Sequence, residues 1–204
     1  MQYDGRADPA PRRSAGASTY PPETVRVVDY DPDWPQRYAE EANLLSDALG
    51  AYLLAVEHIG STAIPGMPAK PVIDILAATP GYAPFDEVVR RLARIGYLYT
   101  PESEVDDPGR RVFRKGPDDL GCLRTHHLHV TEFYSHYWQR MVAFRDHLRG
   151  HPEDAASYVD LKRELVARHP QDSRRYTAGK HQFVTAIEQE VVCASGGGGV
   201  GCRC

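Results

Sequence analysis

Apolar and polar positions along the chain alternate between two periods. Leu53 to Ile59 is a continuous apolar run that ends in Glu57 and His58, and Pro71 to Ala78 is a second one interrupted by Asp74. Runs of this length, bounded by Gly and Pro, suit strands covered on both faces. Tyr38, Ala42, Leu45 and Leu49 recur at helical spacing before Gly50, with Asp33 placed as N-cap and Pro35 in the first turn. Positions 85, 88, 89, 92 and 95 give a second helix, stopped by Gly96. Tyr97 to Thr100 and Arg111 to Lys115 read as strands, and a further arm from Cys122 to Thr131 pairs with the latter. Val25 to Val28 is a candidate edge strand. The last third is helical: Tyr137, Met141, Phe144 and Leu148 line one face, then Ala155, Tyr158, Leu161 and Leu165. A last helix, capped by Ser173, carries Tyr176, Lys180, Phe183 and Ile187. Strands and helices in this order predict an α/β layer architecture, a mixed sheet with C-terminal helices.

Punctuation sets the domain limits. Residues 1–24 are rich in Pro, Gly, Ala, Ser and Arg and are expected to form a disordered arm. Residues 25–192 form one domain, and 193–204 a flexible Gly- and Cys-containing tail. The cysteines 193, 202 and 204 of that tail form no CxxC pair and no disulfide framework. The acidic stretch from Pro101 to Arg110 lacks the spacing of a calcium loop and reads as surface.

Composition narrows the class. At 204 residues and 42% hydrophobic, the chain can bury a core. A net charge of -4 argues against general nucleic-acid binding. No apolar run reaches the roughly 18 residues of a membrane span, and no secretory leader follows the early arginines. The expected location is cytoplasmic.

The chemistry concentrates around the two apolar runs. A carboxylate such as Asp74 inside a buried strand needs a pair, a hydrogen bond or a metal. Gly60-Ser61, with Thr62 next, is a small-residue turn where backbone N–H groups and a hydroxyl can approach an anion. His127 and His129 lie two apart, so they share a strand face. One Asp with one or two imidazoles is a donor set for a divalent ion, with imidazole favouring Zn, Mn or Ni over Mg. Structural, hydrogen-bonded histidines are the competing reading. Glu57 and His58 face opposite ways. Glu57 is a candidate further metal ligand and His58 a ligand or general base, or else a buried, satisfied histidine. Lys70, Arg114 and Arg124 supply a cationic rim suited to phosphate or carboxylate, although a lone surface ion pair is the commoner fate of each. Tyr158 with Lys162, and Tyr176 with Lys180, repeat a Tyr-x-x-x-Lys spacing on helices. Each pair either aims a phenol and an ammonium at the cleft or packs the tyrosine under a solvated lysine.

The run His58 to Leu76, HIGSTAIPGMPAKPVIDIL, together with Arg124 to Val130, RTHHLHV, resembles the GrpB (UPF0157) family over about Val25 to Glu190. That resemblance implies a nucleotidyltransferase-like fold. It also implies anion binding at Gly60, Ser61 and Thr62, metal at Asp74, and roles for Lys70, Arg114, Arg124 and the two Tyr-Lys pairs. Nucleotidyltransferases of that kind carry two acids separated by one residue. Here Val72 and Leu76 stand where the second acid belongs, which departs from two-magnesium transfer. GrpB-like domains also occur attached to dephospho-CoA kinase, but this chain has no Walker A motif. The expectation is a metal-dependent enzyme (Mg, Mn, Zn or Ni) acting on a nucleotide or other phosphorylated or anionic small molecule. The alternatives are a non-magnesium centre for hydrolysis, cyclisation or condensation without a nucleotide, and a non-catalytic nucleotide- or partner-binding module.

Overall fold

The computed structural model describes residues 24–81, 83–104, 109–116 and 124–195. Nearly all of the expected arm and most of the expected tail lie outside these, as do Asp106, Asp107 and Cys122. The first helix, α1 (Trp34–Leu49), leads into β1 (Ala55–Ile59), a 3-10 turn (Ser61–Ala63) and β2 (Ile73–Thr79). Then come α2 (Phe85–Arg94), β3 (Tyr97–Tyr99), β4 (Arg110–Lys115) and β5 (His126–Glu132). Four helices close the chain: α3 (His136–Gly150), α4 (Pro152–Arg168), α5 (Ser173–Gly179) and α6 (His181–Ser195).

The five strands form one mixed sheet in the order β1-β2-β5-β4-β3. Only β2 and β5 run parallel. Because side chains alternate across a strand, the register sorts every residue to a face. Ile59, Asp74, His127 and Arg114 form one row across four strands, and Glu57, Leu76, His129 and Val112 form the next row on the same face. His58, Ile75, Leu128 and Phe113 form a row on the opposite face.

The opposite face carries the larger core. Ile75, Leu128 and Phe113 are fully buried there with Leu45 and Leu49 of α1 and Leu92 of α2. On the Asp74 face, Ile59, Leu76 and Ala78 pack on Tyr137 and Trp138 of α3. The later helices build their own cluster from Phe144, Leu148, Tyr158 and Ile187, joined by Ile64 and Met67 of the loop before β2. That cluster fixes α3, α4 and α6 over one end of the sheet.

Several local expectations are corrected. Val25 to Val28 is no sheet strand. Val28 makes an isolated bridge to Ala69, and the Val25 amide donates to the Pro170 carbonyl, so the segment divides its bonds between two loops. Strand β1 sits at a sheet edge and its Glu57 is partly exposed, so it is not covered on both faces. Asp33 adopts helical angles and makes no side-chain cap. The Asp31 carboxylate instead accepts from the Asp33 amide. The cap of α5 is Asp172, which accepts from the Arg175 amide, rather than Ser173. The expected last helix is two, broken at Lys180. Gly179 ends α5 pressed against Leu165, where a β-carbon would collide with the leucine methyls. Helix α6 continues to Ser195, past the expected start of the tail.

Candidate functional site

Strands β2 and β5 place Asp74 and His127 as direct register partners, with imidazole Nδ1 3.2 Å from Asp74 Oδ1. Burial alone would raise the Asp74 pKa. The hydrogen bond with His127, together with the charges of His127 and Lys180, instead holds it below the usual value. A parallel neighbour thus supplies what a carboxylate in an apolar strand requires. About a third of the Asp74 side chain (31%) stays open to solvent, so the carboxylate is reachable from outside.

Gly60 explains why the chain can turn beside that carboxylate. Its φ of 70° lies in the left-handed region, and a β-carbon there would stand 2.5 Å from Asp74 Oδ2. The turn then presents Ser61. Lys162 reaches it from α4, with Nζ 3.2 Å from Ser61 Oγ, and also donates to the Pro68 carbonyl. Lys162 is 1% exposed and its Nζ lies 4.9 Å from the Tyr158 ring centroid. Burial first, then the charges of Lys180 and Arg163, lowers its pKa to about 7.

The second Tyr-Lys pair faces the same place. Lys180 Nζ lies 4.7 Å over the Tyr176 ring. Burial lowers its pKa to about 8, with Asp74 pulling upward and Lys70 pushing downward. Tyr158 and Tyr176 are both buried, and burial raises both phenol pKa values, that of Tyr176 to about 12. Asp74 also adds to both of these shifts. Asp74, Lys162, Lys180, Tyr158 and Tyr176 are therefore electrostatic neighbours, although three of them come from helices remote in sequence and Lys180 from the junction between α5 and α6. Among the described residues, Lys180 has no carboxylate at ion-pair distance.

Other expected site residues lie elsewhere. His58 points to the opposite face of the sheet, stacked on Tyr38 at 4.6 Å between ring centroids. Its Nε2 lies 3.0 Å from Thr62 Oγ1, and the Thr62 hydroxyl donates to the Val72 carbonyl. Burial lowers the His58 pKa to about 4 despite the pull of Asp74. His58 and Thr62 therefore satisfy one another beneath the turn. Glu57 is on the Asp74 face but is held by Arg145, whose Nη1 donates to it at 2.6 Å and also reaches the His58 carbonyl.

His129 shares the face of His127, yet its Nδ1 is 3.0 Å from the Tyr137 hydroxyl. Arg110 donates to that same hydroxyl at 2.9 Å, which leaves the phenol proton for His129. Burial lowers the His129 pKa to about 3, consistent with a neutral, accepting ring. Arg114 is the register partner of His127 and donates to Ser103 Oγ at 2.8 Å. Arg124 lies two residues before β5, and Lys70 precedes β2 within electrostatic reach of Lys180.

The donor set therefore does not form a three-ligand metal centre. Among the described residues no group of three or more His, Cys, Asp and Glu is placed to hold a metal ion. Asp74 and His127 engage each other, His129 engages Tyr137, and Glu57 engages Arg145. Three contributors were not read from the sequence. Arg110 lay one residue outside the expected strand, Tyr137 was assigned to an apolar helix face, and nothing local marks Arg145 as the partner of Glu57.

Comparisons with known proteins agree on one family. The GrpB protein family matches residues 24–190. A UPF0157 protein of Pseudomonas aeruginosa is 38% identical over 192 residues, covering 93% of this chain and 77% of that protein. The glutamate-rich protein GrpB of Alkalihalophilus pseudofirmus is 33% identical over 168 residues, covering 82% of this chain and 95% of the relative. The crystal structure of the conserved protein GrpB from Enterococcus faecalis superposes with a TM-score of 0.73 at 37% identity, covering 83% of this chain and 99% of that one. A dephospho-CoA kinase of Mycolicibacterium paratuberculosis is 33% identical over 180 residues, only 44% of its length. With residues 24–190 matched by the family and relatives of 33 to 38% identity over most of its length, this chain belongs to the GrpB protein family.

Proposed function

We propose that the cleft between the Asp74–His127 row and helices α4 and α5 binds a phosphorylated or otherwise anionic small molecule, and that the protein acts on it as a transferase-like enzyme. One observation carries this reading: Lys180 is half-buried beside Tyr176 with no ion-pair partner among the described residues, while Lys70 adds positive charge near it. Among the described residues, Asp74 is the carboxylate that acts on the Lys180 pKa. Burying an uncompensated ammonium is costly, and an anionic ligand at this point offsets that cost. A nucleotide is one candidate, since its phosphates present the oxygens that lysine and arginine donors recognise.

Because the described residues offer no three-ligand centre, no step is assigned to a resident metal. Calorimetric titration with inorganic phosphate, then with nucleoside triphosphates, tests the reading. Each is repeated with Mg2+, Mn2+, Zn2+ and Ni2+ to show whether the ligand brings an ion with it. Saturable binding is expected, and Lys180→Met should weaken it about tenfold or more, the scale of one charge-assisted hydrogen bond. Wild-type protein that binds none of these anions, with or without metal, overturns the proposal.

A further inference from the structure

We propose that Ser61 is a nucleophile, with Lys162 as its base, and that it accepts the phosphoryl group of the anionic ligand as a covalent serine ester. This builds on the anion-binding reading above. The geometry comes from three elements. The Gly60 turn, with φ 70° and ψ -173°, swings Ser61 out of β1 toward α4. Helix α4 delivers Lys162 from 101 positions away, so that Nζ stands 3.2 Å from Ser61 Oγ. Tyr158, one helical turn before Lys162, lies beneath its ammonium and within interaction range of the Ser61 side chain. A nucleophile hydroxyl within hydrogen-bond reach of a base, itself held by a third group, is the pattern of activated serines.

The burial pattern assigns the roles. Ser61 is partly exposed, whereas Lys162 is 1% exposed behind it. The polar partners of Lys162 are a hydroxyl and a carbonyl, with no carboxylate at ion-pair distance among the described residues. A lysine kept only for charge would be paired or solvated. One in this surrounding is easily neutral, and its lowered pKa agrees with that. As a neutral amine it still donates to the Pro68 carbonyl and offers its lone pair to the Ser61 hydroxyl.

In the step, the Ser61 proton passes to Lys162 Nζ and the Oγ–P bond forms. The bond from phosphorus to the leaving group breaks, and that group departs with the electron pair. Lys180, within electrostatic reach of Lys162, balances the charge of the transferred group. Water or a second acceptor alcohol then releases the phosphoryl group and restores Ser61.

A fluorophosphonate probe tests the pair without knowledge of the substrate, since Oγ displaces fluoride from phosphorus in the same way. Intact full-length protein should gain a single adduct, located on Ser61 by peptide mass spectrometry, with the remaining serines as internal controls. Ser61→Ala should abolish it. Lys162→Met and Lys162→Arg should each slow labelling about 100-fold, the scale of general-base loss, because guanidinium keeps the charge but cannot take the proton. An unlabelled wild-type Ser61 overturns the proposal and needs no variant to fold. Wild-type labelling rates in both Lys162 variants overturn the role of Lys162. The probe carries no anion, so its failure is separable from a failure of phosphate to bind.

Discussion

Asp74 and His127 meet across the only parallel strand pair of the sheet, with Nδ1 3.2 Å from Oδ1. The carboxylate fixes the ring with its other nitrogen, Nε2, buried and without a protein partner among the described residues. The same carboxylate opposes any anion drawn in by Lys180. Asp74→Asn keeps an acceptor for the ring and removes the charge. At pH 6.5, where Lys180 remains protonated, the variant should bind phosphate more tightly. The expected gain is roughly fivefold, equivalent to about 1 kcal/mol for one unit charge across a solvent-lined cleft. Calorimetry at low and high salt checks it, and the difference should shrink as salt rises.

The pH dependence of anion binding follows from Lys180. Its pKa in the empty site is lowered to about 8, mainly by burial. A bound anion favours the charged form and raises that pKa. Affinity is therefore full below about 8 and declines as pH rises through it. Between the free and bound pKa values, binding takes up protons. Titrations at pH 8.5 in buffers of differing ionisation enthalpy should report this uptake, and Lys180→Met should remove the part that comes from this residue.

His58 gives a stability prediction of opposite sense. Its folded pKa is lowered to about 4, mainly by burial, against about 6.5 in the unfolded chain. A depressed histidine pKa means the unfolded state binds the proton more readily. The contribution is complete above pH 6.5 and is lost as pH falls toward 4, by roughly 3 kcal/mol in total. His129 acts in the same direction with a pKa of about 3. His58→Gln keeps an amide donor for Thr62 and cannot titrate. Its urea midpoint should vary less than that of the wild type between pH 6.5 and 4.

Much of the fold was legible because it is periodic. Residues 85 to 95 have helical spacing, and α2 runs Phe85–Arg94. The alternation in Arg111 to Lys115 is β4, extended by Arg110. The Gly60-Ser61 turn and the lone acid Asp74 were visible as breaks in apolar runs. What the residues do to one another was not visible. Whether Glu57 or His58 shares the face of Asp74 depends on strand register, and the sheet turns His58 away. His129 and His127 share a face and look equivalent in sequence, but Tyr137 from α3 occupies one of them. The Ser61–Lys162 contact joins positions 101 residues apart, which no local pattern encodes. The break at Lys180 follows from Gly179 packing on Leu165 of another helix.

Beneath the other face, Glu41 of α1 is 4% exposed, and Lys115 of β4 donates to both its oxygens at 2.9 and 2.8 Å. His126 Nε2 is 3.8 Å away, too far to replace that ammonium. The pair links α1 to strand β4, and its desolvation makes the two partners interdependent. Lys115→Met leaves a buried carboxylate without its counter-charge and should destabilise the protein by about 3 to 5 kcal/mol. Adding Glu41→Leu removes the stranded charge, so the double variant should recover most of that loss. A urea-denaturation double-mutant cycle measures the coupling. Single and double variants of equal stability would show that Glu41 finds water or another donor when Lys115 is removed, and that this ion pair does not fasten α1 to β4.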